Sequence, residues 1–148
     1  MIHAQGHILS PSEFEVLLGD SWEGHLTYLD YSSDQETKIK VNLEVEKVLD
    51  GEYKFNYTYP DEPKANSKVK MKIGKNHMTL NKHSIVSRQK LANGTLIFET
   101  KNDGKDNKKA ATIFQSYEIS PQEFSITKKV KYIDDDKPIM RNKYQLKR

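Results

Sequence analysis

The sequence predicts an all-β protein: an antiparallel up-and-down β-barrel of about eight to ten strands behind a short N-terminal helix. Three observations carry this. From Trp22 onward the chain repeats short runs in which apolar and polar residues alternate with a period of two. Turn-forming pairs such as Asp50-Gly51 and Asn93-Gly94 separate the runs at short intervals. No run of helical periodicity stands between them, so hairpins join the strands. A meander of that many twisted strands tends to close on itself and lose its edges. The 148 residues read as a single domain, with an extension over 1–9, a helix over 10–19 and the barrel over 22–147.

The helix is announced by Ser10-Pro11-Ser12-Glu13. Ser10 suits the N-cap, Pro11 the first helical position, and Glu13 can reach back to close a capping box. Phe14, Leu17 and Leu18 fall on one helical face, and Gly19 fits the stop. The similar stretch Ser120-Pro121-Gln122-Glu123 lies between two alternating runs and reads as a tight turn instead.

Along the strands, Ile39, Val41, Leu43 and Val45 share one face, and Tyr53, Phe55, Tyr57 and Tyr59 another. Val69, Met71 and Ile73 alternate with lysines. Further strands fall around 77–80, 84–91, 95–101, 110–119, 124–133 and 139–147, with turns at Gly74-Lys75-Asn76, at the run NDGKDN (102–107) and at DDDKP (134–138).

Composition narrows the function classes. Hydrophobic residues make up 35% of the chain, below the usual apolar share, so the core is either thin or encloses something. The 24 basic and 21 acidic residues nearly cancel, to a net charge of +3, and self-repulsion does not oppose folding. The absence of cysteine excludes disulfides, thiolate metal sites and cysteine nucleophiles. No stretch approaches the length of an apolar membrane helix. Ala4-Gln5 fits the scar of a cleaved signal peptide with a start residue added. An ordinary intracellular start fits as well, so the compartment stays open, as does the oligomeric state.

Trp22, the chain's one tryptophan, follows Gly19-Asp20-Ser21 at the start of the first strand. A short helix and an indole together give a barrel its floor: the ring buries a large apolar area, its N–H needs an acceptor, and a cation can rest on its face. Gly19-x-x-Trp22 with a basic residue late in the chain resembles the lipocalins and their fatty-acid-binding relatives, the calycins, whose Gly-x-Trp signature is one residue shorter. The resemblance implies a basic residue of the last strand packed across the tryptophan. Arg141 is the first candidate, with Arg148 and Lys147 in reserve.

With Trp22 inward, Gly24, Leu26 and Tyr28 follow it inside. Later strands offer Ile85, Ser87, Gln89 and Leu91; Leu96, Phe98 and Thr100; Thr112, Phe114 and Ser116; and Phe124, Ile126, Lys128 and Val130. Apolar walls with a few polar groups make a small-molecule site. The candidate ligand-binding set is Tyr28, Phe55, Tyr57, Tyr59, Met71, Gln89, Phe98 and Phe114, with Arg141 as the charged anchor. The expected function is non-catalytic binding of a small hydrophobic or amphipathic molecule. The alternative is a barrel filled by its own side chains that serves as a structural or protein-interaction module.

Other chemistry finds less support. No nucleophile elbow or phosphate loop is present, and no catalytic residue is assigned. Lys128 with Glu118 or Glu99 is the one titratable pair an enzyme reading could use. The five histidines, His3, His7, His25, His77 and His83, form no ligand pair, though His77 and His83 flank a hairpin. Asp134-Asp135-Asp136 lacks the spacing of a calcium loop and reads as a solvated tip. No cofactor and no metal is expected. Lys68, Lys70, Lys72 and Lys75 form a basic face, yet lysines there also blunt a sheet edge, and nucleic acid is not an expected partner.

Overall fold

The computed structural model describes residues 7–30 and 33–148; His3 and the Ala4-Gln5 step lie outside the described residues. Among these, ten strands form one antiparallel sheet: β1 (Gly19–Leu29), β2 (Glu36–Leu49), β3 (Glu52–Thr58), β4 (Ser67–Lys72), β5 (Thr79–Leu80), β6 (His83–Lys90), β7 (Leu96–Asp106), β8 (Lys109–Ile119), β9 (Glu123–Tyr132) and β10 (Ile139–Lys147). Every strand pairs with its sequence neighbour, except that β4 and β5 meet through an isolated bridge, and β10 returns to pair with β1. The result is the up-and-down barrel that the alternation predicts, nearly closed.

Its seam is between β4 and β5. One bridge, Ile73 to Leu80, joins them. The Asn81 side chain serves as a further rung, accepting from Lys72 N–H at 2.7 Å and donating to Lys70 carbonyl at 2.9 Å. Asn81 and Lys82 both have positive φ, the geometry of a two-residue hairpin turn.

The predicted helix divides into α1 (Pro11–Phe14) and a 3-10 turn (Glu15–Leu17), and the chain enters β1 already at Gly19. Gly19 has φ +134°, which a side chain would resist. Glu13 Oε1 accepts from Ser10 N–H at 3.1 Å. Arg88 grips the same carboxylate at 2.8 and 2.5 Å and ties α1 to β6. This plug seats Leu9, Phe14 and Leu17 in the closed end, against Tyr53 and Phe55.

Burial opposes the charge on Glu13, but Arg88 and the Ser10 groups outweigh it and hold the carboxyl below its usual range. A carboxyl depressed on folding stabilises the protein above its unfolded value, and that contribution fades as the pH drops through the folded one. Glu13→Gln is therefore expected to cost about 1–3 kcal/mol at neutral pH. The gap from the parent should narrow below about pH 4.3. Urea titrations of both proteins across pH check this; a gap that stays constant into acid refutes it.

The floor departs from expectation in one residue. Trp22 is fully buried, its N–H donates to Leu17 carbonyl at 2.8 Å, and its ring meets the edge of Phe124. The cation over the indole is Arg148, with its guanidinium carbon 4.2 Å from the ring centroid, and not Arg141. Arg148 also donates to the carbonyls of Val16, Leu18 and Pro121 at 2.6–2.8 Å. It thus satisfies carbonyls where the plug ends and joins them to the β8–β9 turn. Arg141 lies at the other end of β10, too far along the strand to reach Trp22. Arg148→Ala should lower stability by about 1–3 kcal/mol, measured by thermal melting. Arg148→Lys should recover less than half, because an ammonium cannot span three carbonyls.

Three strand details also differ. β7 runs through Asn102-Asp103-Gly104 and turns only at Asn107-Lys108, both at positive φ, because it pairs with β8 along its full length. β6 carries a bulge between Ile85 and Ser87, which puts Arg88 opposite Phe98 and leaves Gln89 on the outer face. β8 buries Ala111, Tyr117 and Ile119, so Thr112, Phe114 and Ser116 face outward, with Phe114 between Lys101 and Lys129. Among the described residues no helix is long and apolar enough to cross a membrane.

Candidate functional site

The register arranges the inward side chains in rows across the wall. The lowest complete row is apolar: Val41, Gly24, Leu146, Phe124, Ile119 and Leu96. Gly24 is required there, since a Cβ would lie 1.8 Å from the Gln145 carbonyl oxygen. Below this row sit Trp22, Phe55 and the plug, with Phe55 edge-on to Phe124 at 5.9 Å. This half is packed by its own aromatics.

The next row is Ile39, Leu26, Tyr144, Ile126, Tyr117, Phe98 and Arg88. Tyr144 stacks on Tyr57 at 4.7 Å, and Phe98 on Tyr117 at 4.6 Å. Tyr59 and Tyr144 share a hydroxyl hydrogen bond of 2.9 Å. Burial pushes the Tyr57, Tyr117 and Tyr144 phenols well up, so all three stay neutral at physiological pH. Neither the Tyr57 nor the Tyr117 hydroxyl has a hydrogen-bond partner among the described residues. Yet the one side-chain polar atom there that is both shut off and unpartnered is Asn56 Oδ1, on the outer wall. The two phenol oxygens therefore look onto accessible space.

Above them runs a polar row: Thr37, Tyr28, Asn142, Lys128, Gln115 and Thr100, ending at Ile85. Strand alternation turns all of these inward, in step with buried Val41, Trp22, Leu146, Val130, Tyr117 and Phe98. All six polar members except Thr100 are only half-buried. None of the six makes a side-chain hydrogen bond or ion pair among the described residues. Thr100 is sealed, and the other five keep unpaired polar surface partly open on the inner face.

Toward the mouth the wall turns apolar again, with Ile139, Val130 and Ile113 in line with Asn102. The rim is clamped by a buried ion pair. Arg141, the extra residue at the β10 bulge, donates from Nε to Asp106 at 3.0 Å and from Nη2 to Tyr132 at 2.6 Å, and the Tyr132 hydroxyl donates to Asp106.

The sequence-predicted set divides accordingly. Tyr28, Tyr57 and Phe98 face inward in the polar and tyrosine rows, and Tyr59 meets them through its hydrogen bond to Tyr144. Phe55 and Met71 face inward but lie in the packed half, Met71 beside Asn81. Gln89 and Phe114 are on the outer face, and Arg141 is engaged by Asp106. Lys128 is inward, whereas Glu99 and Glu118 point out, Glu99 held by Ser116 at 2.9 Å, so the enzyme reading loses its pair. Gln115, Tyr117, Asn142 and Tyr144 were not in the set. The signal for β8 was Glu118, which shares the face of Phe114 and marks it as the wet one. On the outer wall a separate open trough of about 980 Å³, with charges of both signs such as Glu23, Lys40, Glu118 and Lys143, crosses β10, β1 and β2. Among the described residues no group of three or more His, Asp or Glu is placed to hold a metal. No family model matches this chain, and no curated protein matches it.

Proposed function

We propose that this protein is a lipocalin-like binding protein that takes a small amphipathic molecule into the mouth half of its barrel without transforming it. One observation carries the reading: six inward polar side chains, Thr37 to Thr100, left unpartnered among the described residues above a layer of tyrosines. Polar groups inside a fold cost free energy unless something hydrogen-bonds to them, and a guest or water in the lumen meets that need. Apolar contacts at Ile113 and Ile139, both partly exposed on the inner face, would supply affinity and the polar row orientation.

A second reading has its own support. The stacked aromatics of the closed half favour a filled barrel acting as an interaction module. Native mass spectrometry of freshly purified protein separates the two. Binding predicts an excess mass of a few hundred daltons, released on unfolding. Identical native and denatured masses, with no uptake of added amphiphiles, would favour the module.

A further inference from the structure

Strand β4 borders the seam, and its two edges are used differently. Just past its end, Ile73 N–H donates to the Gly51 carbonyl at 2.8 Å, on the β3 side. Main-chain groups alternate along a strand, so Met71 and Val69 also turn theirs to β3, while Lys72, Lys70 and Lys68 turn theirs to the seam. Asn81 meets these seam groups. Its backbone N–H donates to the Lys72 carbonyl at 2.8 Å, and its side-chain amide bonds Lys72 N–H and the Lys70 carbonyl. One residue thus stands in for a neighbouring strand as far as the Lys70 carbonyl, and no further. The Lys70 N–H and both main-chain groups of Lys68 have no hydrogen-bond partner among the described residues.

The side chains along this free edge match its backbone. Ser67, Lys68, Val69 and Lys70 are all exposed. Val69 pairs with fully buried Phe55 and takes the same inward face, yet it is 38% exposed, because no strand lies beside it. Lys68 and Lys70 stand on the outer face. Lys70 reaches Glu52 at 3.2 Å, and Lys68 makes no ion pair among the described residues. A neighbour that completes this edge brings main-chain groups to Lys68 and Lys70, an apolar side chain beside Val69, and negative charge opposite the lysines.

We propose that β4 is a strand-addition site for an extended acidic segment of a partner protein, one in which acidic and apolar residues alternate. The segment runs antiparallel to β4, as Leu80 does at its bridge to Ile73, and continues the sheet from where Asn81 leaves it. A second copy of this chain fits worse, because two β4 edges side by side would set lysine against lysine. The free stretch from Ser67 to Lys70 spans about 13 Å, room for a recognition segment of about four residues. The inference is independent of whether the barrel holds a guest.

A capped peptide of alternating glutamate and valine, with a lysine–valine peptide as its control, tests this on the isotope-labelled full chain. Amide hydrogen exchange followed by NMR reads the edge residue by residue. With the acidic peptide at about ten times its Kd, exchange at Lys68 and Lys70 should slow about 10-fold. The basic peptide should bind about 10-fold more weakly. The Lys70 amide bonds nothing in the free protein, so Lys70→Pro should fold and lose the peptide. Lys68→Glu combined with Lys70→Glu leaves the main chain intact and should reverse the preference between the two peptides. Equal affinity for the peptides, or acidic-peptide binding that survives Lys70→Pro, overturns the assignment. Unchanged exchange at Lys68 and Lys70 does so too, and leaves the lysines with the role of blunting the edge. Protection that rises with protein concentration in the absence of peptide would put a second copy there instead.

Discussion

Trp22→Ala is expected to lower the stability of this barrel by about 3–5 kcal/mol, read as a fall of about 6–20 °C in melting temperature. The indole is fully buried. Truncation leaves a cavity beside Phe124, frees the Leu17 carbonyl from its 2.8 Å donor, and takes away the surface on which Arg148 rests. The three losses are coupled, because Arg148 holds the plug by the same carbonyl-rich segment that Trp22 holds from inside. Trp22→Phe keeps a ring but not the N–H, so it should cost less than half as much. A Trp22→Ala protein that melts within a few degrees of the parent would show that the plug, not the tryptophan, seals the floor.

At the opposite end, Asp106→Ala should cost about 3–5 kcal/mol, the range for removing one member of a buried pair. Asp106 is 4% and Arg141 7% exposed. With the carboxylate gone, the Arg141 guanidinium stays buried at the rim with the Tyr132 hydroxyl but without its acid. Apolar replacement of Asp106 and Arg141 together should cost less than Asp106→Ala alone, since burying both charges is itself expensive. Chemical denaturation of the two variants and the parent makes the comparison. A double variant less stable than Asp106→Ala would mean that Arg141 serves the rim without its partner.

The architecture was legible because the alternation that makes strands is local. Ile39 to Val45, Tyr53 to Tyr59 and Trp22 to Tyr28 all take the face that their pattern announces. The plug was legible from Ser10-Pro11 and Glu13, although Arg88, the partner that locks it, comes from a strand far along the chain. The site was legible only in part, and the losses have physical causes. A bulge after Ile85 adds one residue and reverses the face of Gln89, and no residue type signals it. In β8 both faces carry an aromatic, Phe114 and Tyr117, so hydrophobicity alone does not choose between them. The identity of the floor arginine depended on where a strand ends: Arg148 reaches Trp22 because β1 and β10 run antiparallel, pairing Glu23 with Lys147.

The seam also bears on how the molecule breathes. Around most of the ring, parting two adjacent strands means breaking a ladder of many rungs at once. Between β4 and β5 the ring is completed by a single bridge and the amide of Asn81, and β5 itself joins β6 through only two residue pairs. Free energies of local opening follow the hydrogen bonds and packing that must be given up. The barrel is therefore a curled ribbon fastened by a clasp, and its easiest fluctuation is to unfasten there, parting β4 from β5 while the longer ladders stay paired.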